Sequence, residues 1–468
     1  MNTVVLTGSD LTLDDVLAVA RRQAAVEIAP SALAMMARAR EVADRAIGEG
    51  KTAYGVTTGV GSRKSFPVEA PDHDRLLVRQ HVIAQGSPVA HEVVRATALR
   101  LANALASATT VARPALALHV VEALNADRLP AVRALGSIGA SDLAQMADLT
   151  DGLLGDFELE RGEAIALLNQ GSFSTAHGAL AFADALALLD ALDCAGALDL
   201  EALGANPDAL HPAVGQVRPY PGLQATLTRL RALLDGSEVE ARALQDPLSF
   251  RTLAQLNGAA RDALTFVGAQ IAIELNAAQS NPLVLIDEGR VISVGNFEIQ
   301  PLATALDLAR LALAPVITSA AERAVKLLQA PLTGLTEGLG ARASLAESAL
   351  SELGIAVQAF AAEARLLAQP VSFEIVSTTQ AEGIEDRMTM APLAARRLAE
   401  MVELGARVVS IELLLAAQAC DLRGARLGGG TGALRARVRE FAPFLAEGGV
   451  LPDLELLVDE IRGGRLVV

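Results

Sequence analysis

Gly136-Ser137-Ile138-Gly139-Ala140-Ser141-Asp142-Leu143 crowds small residues into one stretch, with apolar helical sequence on either side. Gly136 and Gly139 permit backbone angles that residues with a Cβ rarely adopt. A Gly/Ala/Ser cluster running into Asp142-Leu143-Ala144 therefore reads as a tight loop feeding a helix, with Ser141 or Asp142 as its N-cap. Taken alone, such a loop is an ordinary helix start. Its meaning depends on what surrounds it.

Upstream, residues 11–23 and 31–47 have the apolar spacing of amphipathic helices, the second closed by Gly48 and Gly50. Tyr54-Gly55-Val56-Thr57-Thr58-Gly59-Val60-Gly61 breaks any regular period and marks a loop. Helices are predicted over 74–84, 91–108 and 114–126, the last with Pro114 in its opening turn. Downstream of the small-residue loop, 163–169 reads as a short helical turn and 174–195 as a helix. Long helices follow over 247–278, 301–329, 341–368 and 387–422. Their apolar residues spread around the helix, as over 411–419, so they are buried on several sides. Leu283-Val284-Leu285-Ile286 and Val291-Ile292-Ser293 flank Asp287-Glu288-Gly289-Arg290 as a small hairpin. The expected fold is mainly α. Residues 1–200 form an N-terminal region carrying both loops, and 201–468 a long central helix bundle with C-terminal helices, completed by other subunits.

The chain has 468 residues, of which 51% are apolar, enough for a large helical core. A net charge of −16 argues against a nucleic-acid or anionic-membrane partner. Apolar runs of membrane-spanning length are interrupted by charges or proline, and Met1-Asn2-Thr3-Val4 leads straight into folded-looking sequence, so a soluble cytoplasmic protein is expected. Cys194 and Cys420 make neither a metal motif nor a disulfide framework, and no His/Asp/Glu spacing resembles a metal site.

Polar clusters interrupt these apolar helices in a definite order. They are Tyr54 to Gly59, Gln80-His81, Gly136 to Leu143, Leu167-Leu168-Asn169 and Gln245-Asp246-Pro247-Leu248-Ser249-Phe250-Arg251. Ser280-Asn281-Pro282-Leu283, Gly295-Asn296-Phe297, Glu385-Asp386-Arg387-Met388-Thr389-Met390-Ala391-Pro392 and Asp421-Leu422-Arg423 continue the series. Each is weak alone; together, in this order, they resemble the aromatic amino acid lyase family, and its histidine ammonia-lyases most closely. The resemblance implies a long-helix bundle of the aromatic amino acid lyase or fumarase-like type, and a homotetramer whose active sites are shared between subunits. It also implies a small amino acid or betaine as substrate. The implied reaction is β-elimination: a proton leaves Cβ, an amine leaves Cα, and an unsaturated acid remains.

The family's electrophile is a methylidene-imidazolone ring made from an Ala-Ser-Gly triplet. Here Gly139-Ala140-Ser141-Asp142 stands where the family pattern reads Ala-Ser-Gly-Asp after the loop glycine, so Ala140 and Ser141 are kept and the triplet's glycine is missing. Ring closure needs the amide nitrogen two residues after the alanine to attack its carbonyl. Asp142 would bring a Cβ and a charge into that compressed turn. Leu248 also stands where the family usually has a tyrosine. The ring is not expected, nor is any other cofactor.

By the same resemblance Tyr54 is the base that takes the Cβ proton, a task requiring neighbouring dipoles or cations to lower its pKa. Arg251 would clamp the substrate carboxylate through its planar fork. Asn169 and Gln245 would hydrogen-bond the substrate or the loop, or stand as satisfied buried amides. His81 and Glu385 suit an imidazole better than a phenyl ring, because a carboxylate can hold an imidazole N–H. Phe297 would pack beside the substrate or in the core, while His119 and His177, within apolar helices, read as structural. The expected substrate is histidine or a histidine-like betaine, losing ammonia or an amine to give a urocanate-type acid. Without the ring, a substrate that already carries a good leaving group, such as a trimethylammonium betaine of imidazole type, needs less help. Glu382, Glu385 or Phe297 would have to serve its cation. The alternative is a catalytically silent homologue that binds an imidazole metabolite or supports an oligomer. Retention of Tyr54, Asn169, Arg251 and Glu385 together counts against it.

Overall fold

A computed structural model of the chain describes residues 3–68, 70, 72–343, 348–373 and 383–466. Near the N-terminus β1 (Val4–Leu6) pairs in parallel with β2 (Val26–Ile28). Between them Thr12 caps α1 (Leu13–Arg22) in a reciprocal box: its hydroxyl accepts from the Asp15 amide at 3.1 Å, and the Asp15 carboxylate accepts from the Thr12 amide at 3.0 Å. Helix α2 (Pro30–Gly48) follows, then the Tyr54 loop and α3 (His73–Gln80). After β3 (Gln85–Pro88) come α4 (His91–Ala106), α5 (Pro114–Asn125) and β4 (Arg133–Leu135). The small-residue loop leads into α6 (Leu143–Leu154), α7 (Glu163–Leu168) and α8 (Ser172–Leu203). Next are α9 (Pro212–Val217), α10 (Pro221–Leu233), α11 (Leu248–Arg251) and α12 (Leu253–Glu274). The expected hairpin is present as β5 (Leu283–Leu285) against β6 (Arg290–Ile292). The chain continues through α13 (Gln300–Leu327), α14 (Ala330–Thr333), α15 (Leu353–Leu367), α16 (Ala391–Arg423), α17 (Gly429–Phe441) and α18 (Glu455–Arg462).

The chain divides into two compact units, each assembled from three separated stretches. The first comprises Met1–Leu180, Gly268–Leu306 and Pro370–Arg396, and the second Ala181–Val267, Asp307–Gln369 and Arg397–Val468. The expected division after residue 200 falls within the first stretch of the second unit.

In the first unit α4 is the core helix. Every residue from Val93 to Ala106 is buried, with α1, α2 and α5 packed around it. Its two arginines are inside; both donate to backbone carbonyls, and Arg95 also pairs with the Asp127 carboxylate at 2.6 Å. Arg95 Nε donates to Val19 O at 3.0 Å, and Arg100 donates to Glu274 O at 3.0 Å and Ala277 O at 2.6 Å, where α12 ends. Helices α3, α6 and α7 pack on one another, and β3 pairs antiparallel with β4, setting Gln85 opposite Leu135. That pairing fixes the segment just after His81 against the residue just before Gly136.

In the second unit α10 packs with α9 and α17, and α17 with α18. Its interior holds a wholly buried ion cluster. Arg323 of α13 meets Asp199 of α8 at 2.7 Å and Glu412 of α16 at 2.6 Å. By length and composition α13 could cross a membrane, but 67% of its apolar window is buried inside the chain. It also carries Asp307, Arg310 and Arg323, all paired internally, as a core helix does.

Several predicted helices end differently, each for a tertiary reason. The helix expected over 74–84 stops at Gln80, because the residues after it are drawn into the β3–β4 pair. The one expected over 247–278 breaks at Thr252 (φ −105°, ψ 14°), where the Ser249 carbonyl accepts from Arg323 and Ser319 instead. Residues 341–343 and 349–352 form bends and turns, with Leu350 N–H donating to Gly338 O at 2.9 Å, and the helix begins at Leu353. Residues 387–390 are not helical, since Met390 sits at φ +55°. The helix expected over 174–195 is longer, running from Ser172 to Leu203. Gly196 packs against Leu253 within it, and Gly204 at φ +72° follows its end.

Candidate active site

The small-residue loop is a tight turn held at both ends. Gly136 (φ +120°) leaves β4, Gly139 lies at φ +81°, and Ser141 takes the left-handed φ of +60° that costs a residue with a Cβ about 1 kcal/mol. Gly139 pairs across the turn with Ser141, and the Ala140 backbone bridges to Glu298. Ser137 Oγ accepts from Gly139 N–H at 3.1 Å and donates to Ser141 O at 3.2 Å, closing the turn from inside.

Asp142 occupies the N-cap position of α6, yet its side chain caps a different helix. Its carboxylate accepts from Ser174 N–H at 2.7 Å and Ser174 Oγ at 2.8 Å, in the first turn of α8, and from Ser137 Oγ at 3.4 Å. Its own amide donates to Gln170 O at 3.0 Å. The residue is wholly buried, and burial pushes the carboxyl up to about 6 against the opposing pull of the Ser174 and Ser137 donors. Because the folded value lies above the ordinary 3.8, the unfolded chain loses this proton first as pH rises. Stability is therefore expected to fall by about 3 kcal/mol between roughly pH 4 and pH 6 on account of this group. Denaturant midpoints of wild type and Asp142→Asn, measured across that window, should diverge by this amount.

Ser141, only 2% exposed, donates its hydroxyl to Asn169 Oδ1. Asn169 caps the C-terminus of α7, and its Nδ2 donates to Asn281 O at 2.8 Å. Asn281 is held in turn by Val294 N–H at 2.8 Å and Ser293 Oγ at 3.2 Å. Asn169 thus hydrogen-bonds the loop on one side and Asn281 on the other. Two acids pin α7 in place. The buried Asp74 of α3 accepts from Ala164 N–H at 2.8 Å, and the buried Glu163 takes a two-pronged grip from Arg113 at 2.8–2.9 Å. His81 caps the end of α3, half-buried, and its Nδ1 donates to Leu77 O at 2.8 Å.

Tyr54 is half-buried and its Oη accepts from Gly61 N–H at 3.1 Å. The expected lowering of its pKa is not present in this chain: burial raises it, the Gly61 N–H opposes, and the charge of Glu385 raises it further. Tyr54 and Glu385 are therefore electrostatic neighbours, as a shared site requires. Phe297 is half-buried one residue before the Glu298 bridge to Ala140. Glu382 lies outside the described residues.

Gln245 and Arg251 belong to the second unit. Gln245 is exposed, and the Arg251 guanidinium makes no hydrogen bond or ion pair with any described residue. Leu248 is 63% exposed and, with Ser249, Thr252, Ser319 and Arg365, lines an open recess of about 500 Å³. Arg323, with Nη1 3.3 Å from Ser249 O, ties the short α11 to the buried ion cluster. His119 donates to Leu153 O at 2.9 Å beside Phe157, and His177 lies edge-on to Phe173 with its pKa pushed down to about 4 by desolvation. The sequence did not single out Asp74, Gln170 or Ser174. Only proximity marks them, and their spacing carries no signal.

The chain and its architecture have close counterparts. The aromatic amino acid lyase family model matches residues 11–160 and 154–440. Histidine ammonia-lyase of Symbiobacterium thermophilum is 36% identical, with 98% of this chain and 97% of that protein covered. The Caldanaerobacter subterraneus histidine ammonia-lyase is 31% identical over 100% of this chain and 98% of its own. Among solved structures, ergothionase from Treponema denticola superposes with a TM-score of 0.91 at 26% identity, covering 100% of both chains. Histidine ammonia-lyase from Trypanosoma cruzi gives 0.90 at 27%, covering 99% of this chain and 94% of that one. The chain belongs to the aromatic amino acid lyase family. It is a carbon–nitrogen lyase.

Proposed function

We propose that this lyase eliminates a tertiary amine from an imidazole-bearing betaine without forming a methylidene-imidazolone ring. The observation that carries the reading is Asp142, which stands in the ring-forming glycine's place and is committed elsewhere: its amide to Gln170 O, its carboxylate to Ser174. Closing the ring would take that nitrogen from its carbonyl partner and drag a buried carboxyl off the start of α8. The residues present do not fit the prosthetic group.

The chemistry then rests on the substrate's own leaving group. Tyr54, as phenolate, takes a proton from Cβ; that C–H electron pair becomes the Cα=Cβ bond, and the C–N pair departs with neutral trimethylamine. A substrate with a fixed positive charge also answers the electrostatics of Tyr54, since its cation would offset Glu385 and draw the phenol pKa back down. His81 and Glu385 supply an acceptor and a carboxylate for the imidazole, Phe297 its apolar wall, and Arg251 the clamp for the carboxylate. The likeness to ergothionase supports this reading, and the likeness to histidine ammonia-lyases supports ammonia release from L-histidine as the second. Assembly as a homotetramer with shared sites, in the cytoplasm, is part of the proposal.

Intact-mass measurement with parallel assays tests it. The expected result is an unmodified mass, trimethylamine release from hercynine or ergothioneine, and indifference to borohydride. A mass lower by two waters, with urocanate formed from L-histidine, would overturn it.

A further inference from the structure

Glu385 and the small-residue loop reach the first unit from stretches of chain about 250 positions apart, and one hydroxyl joins them. Thr389, wholly buried, donates Oγ1 to Gly139 O at 2.9 Å and accepts from Ala391 N–H at 3.1 Å, at the first residue of α16. Next to it Met390 N–H donates to Ile138 O at 3.0 Å. The approach is as close as atoms allow: a Cβ on Gly139 would lie 2.1 Å from Thr389 Oγ1. We propose that Thr389 is a positioning residue, its hydroxyl setting the register between the segment that carries Glu385 and the loop that carries Ser141.

The proposal rests on the elimination reading above and extends it to a residue that touches no substrate. Glu385 lies four positions before Thr389, and residues 386–390 between it and α16 are not helical. The side-chain bond to Gly139 and the Met390 bond beside it tie that stretch to the loop. The other end of the loop is anchored independently, through Asp142 on Gln170 and Ser174. Loss of the Thr389 hydroxyl therefore loosens one end of the loop, leaving the Met390 bond to Ile138 O, and spares the fold. A valine of the same shape leaves the Gly139 carbonyl and the Ala391 amide buried without this partner, whereas a serine serves both.

The test compares Thr389→Val and Thr389→Ser, each alone and in a Glu385→Gln background, by steady-state trimethylamine release. Amide exchange of the peptide spanning 136–142 is followed in parallel. Thr389→Val is expected to lower kcat/KM roughly ten- to hundred-fold and to speed exchange in the loop, with Thr389→Ser restoring both to within about two-fold. In the Glu385→Gln background the valine should cost less than about two-fold more, because the group it positions is already lost. Unchanged loop exchange, kcat/KM within about two-fold of wild type, or an equal loss in both backgrounds would each overturn the proposal. A wild-type enzyme inert toward every substrate tried would instead sink the elimination reading and this role with it. The exchange data would still decide whether the hydroxyl holds the loop.

Discussion

Tyr54→Phe is expected to lower kcat by roughly 10²–10⁴-fold while leaving the melting temperature and substrate affinity little changed. The variant removes one oxygen from a half-buried ring whose hydroxyl accepts a single backbone N–H, from Gly61 at 3.1 Å. Structurally that is a small change. Chemically it removes the group proposed to take the Cβ proton. The pH profile adds a second check. Burial and the Glu385 charge hold the Tyr54 phenol above its ordinary value, so activity that depends on the phenolate should climb with pH into the alkaline range. Glu385→Gln removes one of those upward pushes and should move the alkaline limb to lower pH, even as it weakens substrate binding. Full turnover by Tyr54→Phe, or a limb that stays in place in Glu385→Gln, would assign the proton transfer to another group.

The second large effect lies in the interior of the second unit. Arg323→Met is expected to destabilise the protein by about 3–5 kcal/mol, because it leaves Asp199 and Glu412 buried with no cation between them. Burial, and then the nearness of Glu412, already holds the Asp199 carboxyl well above the usual carboxylate range, with Arg323 opposing. Replacing all three residues by apolar ones of similar volume should recover most of that loss, since the charge cluster costs nearly as much to desolvate as it returns. Denaturant midpoints at one fixed protein concentration would measure both. A midpoint for Arg323→Met within about 1 kcal/mol of wild type would mean that water reaches the cluster. Because Arg323 also holds Ser249 O, the triple variant separates stability from function: it should fold yet bind a substrate carboxylate less tightly through Arg251.

Much of this protein was legible in its sequence, for a physical reason. Helix pattern, proline starts and glycine stops act within a window of a few turns, so α2, α4, α5 and the 283–293 hairpin appear close to where periodicity puts them. The order of polar clusters from Tyr54 to Arg423 carried the family, and the missing glycine beside Ser141 carried the chemical question. What the sequence could not hold is the identity of partners remote along the chain. That Asp142 caps α8 rather than α6, that α3 yields to a β pair after Gln80, that Thr252 breaks a helix, and that Thr389 clasps Gly139 are settled by polar groups finding partners once they are buried. The same holds for Tyr54: its residue type promised a base, but only burial and the nearness of Glu385 set the direction of its pKa. Local propensity is written in the chain, whereas desolvation and long-range hydrogen bonding exist only in the fold.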